Sequence, residues 1–136
     1  MNSENIKIHV LRLKPNQDLK QEIEAFVKKE NMAAGWIITC VGSLTQANLR
    51  YANQPEGTES NEHFEIMSLV GTVSVNGSHI HLSISDSLGV TTGGHLLDKN
   101  SIYTTAEIVI AESKNHIFTR EKDGSTPWEE WQVKTK

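Results

Sequence analysis

The chain has 136 residues, 37% hydrophobic and 22% charged, with a formal net charge of -4. That length is enough to bury a core as a single domain over 1–136, and the ordinary composition excludes a disordered or fibrous chain. Thirteen Lys and Arg stand against seventeen Asp and Glu, with no basic run, so the footprint of a nucleic-acid binder, cations placed to neutralise phosphates, is missing.

Met1-Asn2-Ser3-Glu4-Asn5 has no basic segment ahead of an apolar stretch, which predicts no secretory leader. No apolar run approaches the length of a membrane-spanning helix. Residues 6–13 alternate and then turn apolar, predicting a strand that Pro15-Asn16 ends. A helix is predicted over 16–31, where Leu19, Ile23, Phe26 and Val27 fall on one stripe. Asp18 in its first turn and Lys28-Lys29 in its last complement the helix dipole. Gly35 breaks that pattern, and 36–42 read as a buried strand. It carries Cys40, which sits in an apolar run and reads as a small hydrophobe rather than a nucleophile. A lone cysteine and no leader together predict a reducing, cytoplasmic setting.

Residues 47–51 predict another strand, and the polar stretch 53–61, with Pro55 and Gly57, predicts a loop. Two alternating runs, 64–75 and 79–85, flank Asn76-Gly77, a strong hairpin signal. Asp86-Ser87-Leu88-Gly89 predicts a turn into a strand at 92–97. Residues 102–111 are rich in β-branched side chains and predict a strand, and 116–120 the last one. The tail at 123–131 reads as a loop bearing Trp128 and Trp131. The whole predicts an α+β fold, a mainly antiparallel sheet of about seven strands with one clear amphipathic helix.

The chemistry concentrates in three histidines. His79-Ile80-His81-Leu82-Ser83-Ile84-Ser85 alternates strictly, so on a strand both histidines share one face. Two residues apart, they lie about 6–7 Å apart along the chain and can converge on one ion. His95 follows Gly93-Gly94, where the backbone can approach a neighbour closely. Paired with 79–85 it reaches the same face. Three imidazoles with a position left open is the arrangement of a catalytic zinc centre. A solvated polar face is the alternative for the same residues. His9, His63 and His116 have no such partners and read as surface or strand positions. A metal there would act as a Lewis acid and would need an acid/base group and an anion clamp. Glu107, in phase with Tyr103 and Thr105 on its strand, is the candidate acid/base, with an exposed sheet residue or interface ion pair as the alternative. Arg12 is the candidate clamp, since a guanidinium grips planar anions bidentately, with an interface ion pair equally in view.

These pieces occur in an order that resembles the plants-and-prokaryotes-conserved (PPC) domain family. The resemblance covers nearly the whole chain. It rests on Arg12-Leu13-Lys14-Pro15 with Asp18-Leu19, Val41-Gly42-Ser43-Leu44 with Ala47, Phe64 to Thr72, His79-Ile80-His81-Leu82-Ser83, and Gly93-Gly94-His95-Leu96 leading into Thr104-Thr105-Ala106-Glu107-Ile108-Val109. It implies a compact α+β unit on an antiparallel sheet that assembles as a homotrimer. It also implies a divalent-metal site at His79, His81 and His95; the residues themselves make zinc the expected ion and, with Arg12 as clamp, a small anionic ligand the expected partner. The fold is similar to that of acetolactate decarboxylase, a three-histidine zinc enzyme, a likeness that carries little weight for the reaction. Bacterial members are the bare domain and carry a DNA-binding label by analogy. Plant members add an AT-hook, which this chain lacks. Where the plant partner-binding segment reads Gly-Arg-Phe-Glu-Ile, this chain has Glu62-His63-Phe64-Glu65-Ile66, losing the glycine and the arginine. The alternatives are therefore a DNA-associated regulatory protein and a structural assembly module whose metal only stabilises a trimer.

Overall fold

Period-two alternation along the strands and one apolar helical stripe assemble into a curled sheet packed on one helix. The structure is a computed structural model describing residues 4–136; residues 1–3, part of the segment read above for a leader, lie outside it. The elements in chain order are β1 (Ile6–Leu13), α1 (Leu19–Lys29), β2 (Gly35–Leu44), β3 (Ala47–Arg50), β4 (Thr58–Ser60), β5 (Phe64–Val73), β6 (His79–Ser85), β7 (Thr91–Leu96), β8 (Ile102–Ser113), β9 (His116–Glu121) and β10 (Glu130–Thr135). Eight strands form one sheet in the order β1-β8-β2-β5-β6-β7-β3-β4, and β9 and β10 form a separate ribbon. All the pairings are antiparallel. The fold is thus the α+β class expected. No helix among the described residues is long and apolar enough to cross a membrane.

The connectivity forces the sheet to curl. Only Thr45 and Gln46 separate β2 from β3, yet the two lie four places apart in the sheet. A flat sheet would put them about 19 Å apart at the usual strand spacing. Three Cα steps reach only about 11 Å. The linker is pinned on the way: Thr45 N–H donates to Ser101 O at 3.0 Å, and Ser101 N–H to Gln46 O at 3.1 Å.

Leu19, Ile23 and Val27 of α1 are fully buried against the inner face, which contributes Ile108, Ile110, Leu82, Ile84 and Leu96. Burying each such side chain stabilises by about 1.5–3 kcal/mol. The helix starts three residues later than the periodicity predicts because Asp18 caps it: its Oδ1 accepts from Gln21 N–H at 2.9 Å. The other carboxylate oxygen accepts from Lys99 N–H at 2.7 Å and Asn100 N–H at 2.8 Å. One side chain therefore starts the helix and ties it to the β7–β8 connection.

Two expectations are corrected. The predicted loop 53–61 contains β4, whose three residues pair with β3. The tail is not loop throughout, because Glu130 onward pairs with β9 and Trp131 packs edge-on against Phe118, centroids 4.7 Å apart. His9 takes a strand position, as one of the two readings has it. It is buried on β1, Nε2 2.8 Å from Glu112 Oε1, with its ring edge-on to Phe26. Burial alone would raise the Glu112 carboxyl's pKa, but hydrogen bonds from Lys114 (2.7 Å) and His9 outweigh it and hold it low.

Candidate metal centre

The strand β6 displays His79, His81, Ser83 and Ser85 outward and buries Ile80, Leu82 and Ile84. The Asn76-Gly77 turn predicted from sequence brings β6 back along β5, with Gly77 at φ +130°, where a side chain would be strained. The turn into β7 is built by Asp86, whose Oδ1 accepts from Leu88 and Val90 N–H, both at 2.9 Å. That turn sets the register in which His81 lies directly opposite His95. Gly94 is required there: a Cβ would stand 2.8 Å from the Arg50 carbonyl oxygen on β3.

The three rings converge. Ligand nitrogens from His79, His81 and His95 all lie within 4.8 Å of one another. His79 Nε2 and His81 Nε2 are 3.1 Å apart. Around a tetrahedral ion with bonds of about 2.0–2.1 Å, ligand nitrogens stand about 3.3 Å apart. His79 and His81 therefore already stand at ligating separation, and His95 lies close enough for its ring to complete the set. His95 Nδ1 is moreover buried without a hydrogen-bond partner among the described residues, the condition that a ligand or an ion would relieve. His79 and His81 border an open depression of about 210 Å³ lined also by Val70, Gly71 and Thr72.

Electrostatics keeps the rings ready to ligate. Burial, then the neighbouring His79 and Arg50, lowers the His95 pKa to about 4. Burial, His81 and Arg120 likewise lower that of His79. Both are neutral at physiological pH, the form that binds a metal.

Arg12 and Glu107 fall elsewhere. They are direct register partners across β1 and β8, and Arg12 Nε donates to Thr105 Oγ1 at 3.2 Å. Glu107 is outward-facing with Tyr103 and Thr105, as its phase predicts. But β8 lies three places from β6 in the sheet, about 14 Å along its surface. Within one chain neither residue meets the histidines. Cys40 is buried, and burial followed by the Glu107 charge pushes its thiol up to about 12, so it is no nucleophile. His63 stacks on Tyr103, centroids 4.5 Å apart, and the His116 ring Nδ1 meets Ser113 Oγ at 2.8 Å.

Sequence reasoning missed two residues beside the cluster. Arg50 is the register partner of His95. Arg120 reaches in from β9, its Nη2 donating to Thr72 Oγ1 at 3.0 Å, and Thr72 is the register partner of His79. Both placements depend on sheet order and on the β9–β10 ribbon packing beside the sheet, neither of which local periodicity encodes.

The model of the Plants and Prokaryotes Conserved domain, abbreviated PCC or PPC, matches residues 2–114. The chain belongs to that family. It is 43% identical over 129 residues to the bifunctional protein GlmU of Synechococcus sp. strain JA-3-3Ab, matching 95% of this chain and 21% of GlmU. The chain thus spans about a fifth of the length of the curated relatives it matches. A hypothetical protein from Salmonella enterica shares 36% identity at a TM-score of 0.95, covering 98% of this chain and 97% of the other. A metal-containing protein from Archaeoglobus fulgidus shares 26% identity at a TM-score of 0.78, covering 97% and 99%.

Proposed function

We propose that this chain is a homotrimeric metal protein whose three-histidine centre binds or transforms a small anionic ligand. The observation that carries the reading is the convergence of His79, His81 and His95 nitrogens within 4.8 Å at the border of an open depression. Description of the Archaeoglobus relative as metal-containing supports it. Zinc is the ion proposed, since three imidazoles with an open side suit it. When bound, it supplies a Lewis acid that polarises an oxygen of the ligand.

The chain's own residues do the rest. Neutral imidazoles hold the ion, Gly94 lets β7 lie close enough to β3 to present His95, and Thr72 and Val70 border the place a ligand occupies. All three ligands come from one chain, which favours a ligand-binding centre over a metal that merely staples subunits together. Glu107 as acid/base and Arg12 as clamp join the centre from a neighbouring copy. The outer face that would meet such a copy is apolar, with Val10, Ile8, Ile38, Val41, Met67 and Val70 all exposed, an unusual run for a solvated sheet.

The test uses cobalt(II) as a coloured stand-in for zinc, together with sedimentation of the untagged protein. A tetrahedral cobalt spectrum that shifts on adding oxalate, from a particle of three chains, is the expected result. A spectrum indifferent to every small anion would favour a structural metal, and retention of DNA at moderate salt would favour the regulatory reading.

A further inference from the structure

Two guanidinium groups flank the histidines, and neither is held in an ion pair among the described residues. Arg50 on β3, His95 on β7, His81 on β6 and Val70 on β5 form one lateral row of register partners. Such partners share a face, with Cβ atoms about 4.5–5.5 Å apart. In the neighbouring row His79 faces Thr72, and Thr72 holds the Arg120 guanidinium at 3.0 Å. One arginine thus borders the His95 side of the cluster and the other the His79 side. Arg50 Nη1 makes only a long 3.4 Å contact to the Gln54 carbonyl. The Glu130 carboxylate acts on Arg120 only from beyond ion-pair distance, and its Oε1 accepts from the Thr126 hydroxyl at 2.5 Å.

Arg120 is half-buried. A cation withdrawn from water with no paired anion is costly. Positive charge on both sides of a neutral metal-ligating set calls for an anion between them. The guanidinium fork offers two parallel N–H donors matched to a carboxylate or phosphate. Arg120 also lies past residue 114, where the family match ends, so the C-terminal ribbon brings a side chain to the site that the matched region does not supply.

We propose that Arg120, with Arg50 opposite, determines the ligand class of this site: a small molecule whose carboxylate or phosphate oxyanion is gripped by these guanidinium groups while another of its oxygens faces the histidines. This rests on the metal-centre reading for the second contact, and the first stands without it. The Arg120 grip ties ligand recognition to the β9–β10 ribbon.

Isothermal titration of oxalate and of inorganic phosphate, each into cobalt-loaded and metal-free protein, tests this. Wild type is compared with Arg120→Ala, Arg120→Lys, Arg50→Ala and, as a remote control, Lys28→Ala. Arg120→Ala is expected to weaken the preferred anion by about tenfold or more, with cobalt content and circular dichroism unchanged. Arg120→Lys should recover part of the loss, because it keeps the charge without the fork, and this guards against a folding artefact. Preference for oxalate assigns a carboxylate ligand, and preference for phosphate a phosphate ester. Equal affinity in wild type and both alanine variants overturns the proposal, as does absence of binding to wild type in either form. Failure of wild type to take up cobalt overturns the metal reading alone; an arginine-dependent anion affinity in the metal-free protein would still support this assignment.

Discussion

His81 and His95 are direct register partners across β6 and β7, so two of the three ligating rings are fixed to each other by backbone hydrogen bonding rather than by a flexible loop. The site is therefore preformed by the sheet. Replacing any one of His79, His81 or His95 by alanine should weaken zinc binding by more than the roughly 10–100-fold that losing an outer-shell partner costs. Because His79 and His81 are exposed, their metal-free alanine variants should lose no more than the roughly 0.5 kcal/mol of stability typical of surface changes. Competition against a chromophoric chelator and a melting curve read the two quantities.

The pH dependence of the metal-free protein follows from His95. Folding lowers its pKa from 6.5 to about 4, through burial first and then the charges of His79 and Arg50. Between those values the unfolded chain takes up a proton that the folded chain refuses, so stability rises with pH across that window. His79 acts in the same direction. Thermal midpoints should fall as pH drops from about 7 to about 4, and His95→Gln should flatten that slope. An unchanged slope in the variant would contradict the assignment.

Gly94 tests the support behind the ring of ligands. A Cβ there meets the Arg50 carbonyl oxygen at 2.8 Å and its carbon at 3.2 Å, both backbone atoms that cannot swing aside. Gly94→Ala should push β7 from β3, cost about 1–3 kcal/mol as overpacking does, and reduce metal affinity by moving His95. Denaturant titration and chelator competition on the same sample should show both losses together.

Asp18 offers the opposite pattern. Its carboxylate accepts from Gln21, Lys99 and Asn100 N–H groups. Asp18→Ala loses a helix cap worth about 0.5–2 kcal/mol and leaves further donors to find water. The denaturation midpoint should drop while the metal stoichiometry stays that of wild type, since the histidines lie on strands across the core.

The legible part of this molecule was whatever one strand or helix decides by itself. Alternation placed His79 and His81 on one face, and the Gly93-Gly94 step marked the close approach that presents His95. Phase alone put Glu107 on the outer face correctly. What alternation does not contain is which strand lies beside which. Arg50 reaches His95 only because β3 returns to pair with β7, and Arg120 reaches Thr72 only because the β9–β10 ribbon packs beside the sheet. For the same reason Arg12 and Glu107, reasonable choices by residue type, stand on strands remote from the cluster within one chain. The His9–Glu112 pair escaped notice because its two members are 103 positions apart in the chain.

Elemental mass spectrometry of untagged protein, purified without chelators, bears most directly on the three-histidine centre. About one equivalent of zinc per chain is expected for a mononuclear site, absent from both His79→Ala and His95→Ala. Wild-type protein that retains no metal even after zinc is added would show instead that the three rings are a polar face of the sheet.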